Sequence, residues 1–197
     1  MTPATQVPPR QVANGGSTIA TPRPSGPTVT ASPASSDRPF VRYLWAATRL
    51  SLGWTFLWPF LDKTFGLGHE TPSADAWLSG GNPTQGFLSH STGPFSGIYQ
   101  DIAGTGLVNV LFMSGLLAIG VALLLGIAMR PACIAGATML MLMWTAVLPP
   151  ENNLFMDDHI IYALVLIGLA AVGAGKTLGL GKWWAQTAVV QRYGWLA

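Results

Sequence analysis

The sequence predicts an all-α protein, a transmembrane bundle of four helices, and three observations predict it. Half of its 197 residues are hydrophobic and only 9% are charged, against roughly a quarter charged in a soluble domain; the mean hydropathy is +0.41. No Asp, Glu, Lys or Arg occurs from Ile102 to Met129, from Pro131 to Pro150, or from Ile160 to Gly175. Each stretch is close to the roughly 20 residues that carry a helix across about 30 Å of hydrocarbon. The period-2 alternation of a barrel strand is absent. Backbone polar groups inside a bilayer must pair internally, so helices are the remaining solution.

Taken in order, residues 1–38 are rich in Pro, Ser, Thr and Ala, with Arg10, Arg23 and Arg38 and no apolar run. Too little apolar surface exists to offset ordering entropy, so a disordered cytoplasmic tail is expected, and the h-region of a signal peptide is missing. A membrane domain is expected over 39–197. Its first span, 42–61, has Arg49 as its interior charge. A segment of some forty residues then runs from Lys63 to Gly104 and carries Trp77, Phe87, Phe95, Ile98 and Tyr99; such length in a compact bundle points to a partly folded lid. The second span, 105–128, turns at Arg130-Pro131 into the third, 131–148, which Pro149-Pro150 closes. The fourth span covers 158–174. The closing "LGLGKWWAQTAVVQRYGWLA" mixes Trp, Tyr, Lys and Arg, as an interfacial helix in the headgroup zone does.

Charge sets the orientation. Arg130, Lys176, Lys182 and Arg192 fall on one side of the four spans, with Lys63 the only Lys or Arg in an outer loop. The positive-inside rule therefore places both termini in the cytoplasm. Asp62, Glu70, Asp75, Asp101, Glu151, Asp157 and Asp158 all fall outside, giving that surface a negative field. A net charge of +2 does not suggest a nucleic-acid partner, and the lone Cys133 excludes a C-x-x-C relay within the chain.

"AAVGAGKT", Ala170 to Thr177, resembles a phosphate-binding loop, but the motif needs a strand before it and a membrane helix stands there instead. Gly173 and Gly175 are expected to end the helix, with Lys176 at its negative terminus. The polar set at the other end is the leading candidate site. One of Asp157 and Asp158 is expected to cap the helix, while Asp158, His159 and Tyr162 share its outer end at helical spacing. Two readings stand: cap and packing, or a place that hydrogen-bonds a carbonyl head group and passes protons.

Arg49, about two turns into the first span, either snorkels inward or pairs inside the bundle. Trp58, Asp62 and Lys63 reach the outer end, where Trp144 of the third span also arrives; they are candidate ligand contacts beside the ordinary reading of interfacial tryptophan. Haem ligation at matching depth, dinucleotide motifs and thiolate sets are not found. A metal at His159 with Asp157 or Asp158 is the weakest option, and no metal is assigned.

"RLSLGWTFLWPFLDKTFG", "GLLAIGVALLLGIAMRPACIAG" and "LPPENNLFMDDHIIYALVLIGLAAVGAGKTLGLGKWW" together resemble the DoxX/DoxD family of small bacterial membrane proteins over roughly residues 42–184. The most specific piece is the N-N-x-F-x-D-D-H-x-x-Y run. The resemblance implies a multi-pass protein of the bacterial cytoplasmic membrane and, for the DoxD branch, the membrane subunit of a thiosulfate:quinone oxidoreductase. It implies quinone as acceptor; the missing ligand sets imply no covalently bound cofactor. Implied partners are the lipid bilayer and a second oxidoreductase subunit or soluble redox enzyme, with homo-oligomers also open. Thiosulfate is a dianion and the outer face is acidic, so quinone-side chemistry or ligand binding is the expected role. The alternative is a non-catalytic anchor that recruits soluble redox enzymes; four short spans without an internal repeat argue against a transporter.

Overall fold

In the computed structural model, which describes residues 39–151 and 153–196, the chain is all-helical, with no strand among the described residues. The expected tail, residues 1–38, lies outside them. Helix α1 (Pro39–Phe65) is followed by short 3-10 turns at Ser73–Asp75 and Trp77–Ser79, then α2 (Gln85–Ser89) and α3 (Ser96–Ile102). The long helices α4 (Gly106–Leu125), α5 (Met129–Ala146) and α6 (Asp158–Ala171) come next, and α7 (Gly181–Trp184) and α8 (Ala188–Arg192) close the chain.

The four long helices pack in chain order, α1 on α4, α4 on α5 and α5 on α6, with α6 returning to touch α1. Leu52 and Phe56 of α1, Met113, Leu116, Ile119 and Leu123 of α4, Cys133 and Leu140 of α5, and Ala163, Leu166 and Leu169 of α6 form the core. These are spaced three, four or seven apart, one stripe of each helix. The opposite stripes are equally apolar and exposed: Leu107, Val110, Leu111 and Leu117 on α4, Ile161, Leu164 and Ile167 on α6. Small residues set the closest crossing, since a Cβ at Gly120 would stand 2.9 Å from Leu57 N and one at Gly53 would stand 3.0 Å from Leu124 N.

By length and composition α4 alone, among the described residues, is long and apolar enough to cross a membrane; α6 is apolar but shorter. Its 14 residues rise only about 21 Å at 1.5 Å each. The fourth stretch, expected as helix to 174, leaves the helix at Ala171 because Gly173 takes a left-handed φ of 62° and Ala174–Lys176 tightens to a 3-10 turn. The first helix runs four residues beyond the expected 61, carrying Asp62 and Lys63 within it. The single interfacial helix expected at the C-terminus is instead two short ones. Thr187 is extended between them, and Trp184 Nε1 donates to Leu196 O at 2.9 Å as the chain folds back.

Charges separate along this body. Arg42, Lys176, Lys182, Arg130 and Arg192 gather where α4 turns into α5: Arg42 Nε donates to Thr177 Oγ1 at 3.4 Å, Leu180 N to Leu125 O at 2.7 Å, and an Arg130 guanidinium nitrogen to Gly194 O at 3.4 Å. The segment between α1 and α4 lies at the other end, with the acids.

Candidate functional site

Asp157 precedes α6 in an extended conformation and accepts a hydrogen bond from Ile160 N at 3.3 Å, so it is the cap. Its second oxygen lies 2.7 Å from His159 Nδ1. The carboxylate thus holds the helix start and the imidazole together, with side chains only 13% and 17% exposed. Asp158 Oδ1 is 3.5 Å from the same nitrogen, but its side chain is 67% exposed. The three residues line an open cleft of about 940 Å³ with Glu151, Pro149, Pro150 and His90. His90 follows α2, and its Nδ1 donates to Gly86 O at 2.7 Å. No Lys or Arg lines this cleft.

Tyr162 is half-buried and packs against the core, and no protein hydrogen bond links it to His159 among the described residues. The partner of His159 is therefore Asp157, two residues before it, rather than the phenol one turn on. A capping residue sits outside the helix, where its side chain can bend back over the first turn.

The other candidates do not join this cleft. Arg49 is fully buried and lies 13 residues before Asp62 on α1, about 20 Å away along the axis. Its guanidinium donates to Leu123 O, to Leu124 O at 2.9 Å, to Thr177 O at 3.3 Å and to Leu178 O at 2.8 Å. It pairs inside the protein, with the carboxyl end of α4 and the loop after α6. Trp144 Nε1 donates to Phe155 O at 2.8 Å. The Trp58 ring lies tilted by 35° to Trp54 with centroids 5.7 Å apart, and edge-on to His69 at 6.0 Å.

Asp62 and Lys63 organise the lid. Asp62, buried, accepts from the backbone N–H groups of His69 at 3.2 Å, Glu70 at 3.1 Å and Thr71 at 2.9 Å. Lys63 Nζ stands 3.8 Å from Glu70, a long contact to an exposed carboxylate and of little energetic weight. The sequence reading passed over Asn109, which is buried in α4. Its Oδ1 accepts from Thr84 N at 3.1 Å and Thr84 Oγ1 at 2.7 Å, and its Nδ2 donates to Asn82 Oδ1 and Gly104 O, both at 3.2 Å. An isolated Asn in an apolar run was the available signal, because a buried amide must be satisfied. Tyr99 adds a third tie, its hydroxyl 3.1 Å from Leu142 O and 2.5 Å from Thr145 Oγ1.

Asn109→Leu is expected to strand the Thr84 N–H and hydroxyl, costing about 2 kcal/mol, and to speed amide exchange in residues 82–104. Exchange rates equal to those of the parent protein would show that Asn109 does not hold the lid.

Comparison of the chain with protein-family models, curated proteins and solved structures gives no match.

Proposed function

We propose that this is a multi-pass membrane subunit of a quinone-linked redox system, of the thiosulfate:quinone oxidoreductase type, with its quinone site in the cleft at the amino end of α6. The exposed apolar stripes of α4 and α6 support embedding in lipid, where a helix that is hydrophobic all round finds solvent on its outer face. Segregation of exposed cations to one end gives the orientation, with the cleft on the outer side.

The observation that carries the reading is the 2.7 Å contact of Asp157 with His159 Nδ1 inside that cleft. The carboxylate fixes the ring through Nδ1, and with a proton on Nε2 as well the imidazolium donates to a quinone carbonyl oxygen and can pass that proton on. Reducing a quinone takes two electrons and two protons. Two thiosulfates give up those electrons in a partner subunit as a sulfur–sulfur bond joins them, His159 hands one proton to a quinone oxygen, and water in the open cleft supplies the other. With three carboxylates and no Lys or Arg around the cleft, a neutral quinone is a better occupant than a dianion.

Purified protein is expected to bind a quinone analogue saturably, and His159→Ala to weaken that binding about tenfold, the worth of one hydrogen bond. Equal affinity in the variant, or no saturable binding, would sink the reading. A scaffold role is favoured by one observation, the exposure of Trp183, Tyr193 and Trp195 beside Lys182 and Arg192 on the C-terminal segment. It predicts co-purification of a soluble redox enzyme whose activity ignores Asp158→Asn.

A further inference from the structure

The C-terminal segment is sewn across one end of the bundle. Leu180 N donates to Leu125 O at 2.7 Å, at the last residue of α4, and an Arg130 guanidinium nitrogen donates to Gly194 O at 3.4 Å from the first turn of α5. These ties bracket the turn between α4 and α5. Trp184 Nε1 closes the segment on itself at Leu196 O, 2.9 Å away. Residues 180–196 are thus held at the depth where the two apolar helices end.

The same ties collect charge. Arg42 of α1 meets Thr177 Oγ1 at 3.4 Å, next to Lys176, and Arg130 meets Gly194, two residues from Arg192. With Lys182 these five cations come from α1, α5 and the chain after α6, and all are exposed. No Asp or Glu among the described residues accompanies them: the acids from Asp62 to Asp158 lie at the other end, as do the ion pairs of Lys63 and His159. The two arginine contacts are long and go to neutral oxygens, which leaves guanidinium donors over for an anion. Like charges gathered without counter-ions repel one another, and an external anion relieves that repulsion.

Apolar groups stand between the cations. Trp183, Val189, Tyr193 and Trp195 are exposed on the segment, and the Arg192 guanidinium carbon lies 5.6 Å from the centre of the Tyr193 ring. The charged zone also grades directly into apolar surface: the exposed Ile134 stands one helix turn after Arg130, about 6 Å along the axis. A bilayer surface has this order, with phosphates first, then a layer that accepts aromatic rings, then acyl chains.

We propose that this end of the protein binds anionic phospholipid, its phosphates held by Arg42, Arg130, Lys176, Lys182 and Arg192 and its acyl chains lying along the exposed apolar stripes. The assignment needs the membrane placement proposed above but not the quinone reading, and it gives the C-terminal aromatics to lipid in place of a soluble enzyme.

The purified full chain, reconstituted in phosphatidylcholine vesicles with a minor share of phosphatidylglycerol, provides the test. With bromine on the acyl chains of the phosphatidylglycerol alone, tryptophan fluorescence is expected to fall further than with the same share of brominated phosphatidylcholine, because the anionic lipid gathers round Trp183 and Trp195. Lys182→Gln combined with Arg192→Gln, both exposed and outside the core, should reduce that preference about fivefold for each cation removed. Raised salt should weaken it in the parent protein. Equal quenching by the two brominated lipids, or a preference unchanged in the double variant, overturns the proposal; loss of a soluble partner by that same variant would then give the surface to a protein. Release of the chain from the vesicles by alkaline carbonate removes the membrane placement itself, and the lipid assignment with it.

Discussion

Arg49→Ala is expected to lower stability by on the order of 3–5 kcal/mol, the largest effect of any single substitution considered. The guanidinium meets carbonyls of Leu123, Leu124, Thr177 and Leu178. The first two belong to the last turn of α4, where the helix dipole is negative; Leu123 O also accepts from Gly126 N at 3.2 Å, so Leu124, Thr177 and Leu178 are the carbonyls that depend most on the guanidinium. Each buried acceptor left unpaired costs about 1–3 kcal/mol, and relaxation recovers part of the total. The site leaves little room for relaxation, since a Cβ at Gly126, where φ is +70°, would stand 3.0 Å from an Arg49 nitrogen and 2.8 Å from Gly175 O. Arg49→Lys keeps the charge but loses the planar fork, and should fall between the two. Denaturant midpoints in detergent measure the difference; a parental midpoint for Arg49→Ala would contradict the clamp.

Asp62→Ala is expected to release the start of the lid at a cost on the order of 3 kcal/mol, because three backbone N–H groups lose a charged acceptor together. The same geometry sets a pH dependence. Burial opposes ionisation of Asp62, but the amides of His69, Glu70 and Thr71, with the Thr71 side chain, outweigh it and hold the carboxyl below its ordinary value. A carboxyl depressed on folding adds stability that is complete above its unfolded value, near 4. That stability is lost as the pH falls through the folded value. Thermal midpoints should therefore drop on acidification in the parent protein more than in Asp62→Asn, which has no such group to titrate. Parallel curves for the two proteins would show that Asp62 does not couple the lid to pH.

Parts of this structure were legible in the residue order because they depend on local chemistry. Helical class and the approximate positions of α4, α5 and α6 follow from uninterrupted apolar runs and from punctuation at Pro131 and Gly173, whereas the end of α4 at Leu125, three residues before the expected 128, is set by the left-handed Gly126. The cap before α6 was narrowed to two aspartates, and the structure selects Asp157. That the segment from 63 to 104 is partly folded was suggested by its aromatics. What ties it down, Asp62 and Asn109 bonded to chain 5 to 27 residues distant, was not. A carboxylate or amide in sequence carries no sign of which backbone groups will point at it.

The sequence by itself determined composition, helical periodicity and the separation of cations from acids. These depend on residue type and spacing, and hydrophobicity acts over a single helix turn. Tertiary structure alone decided that Arg49 grips the end of another helix, that Tyr162 turns to the core, and that His90 shares a cleft with His159. The reason is the same in each case. A hydrogen bond or a shared cavity is fixed by directions and distances of a few ångströms, and elements remote in sequence acquire those only when they pack.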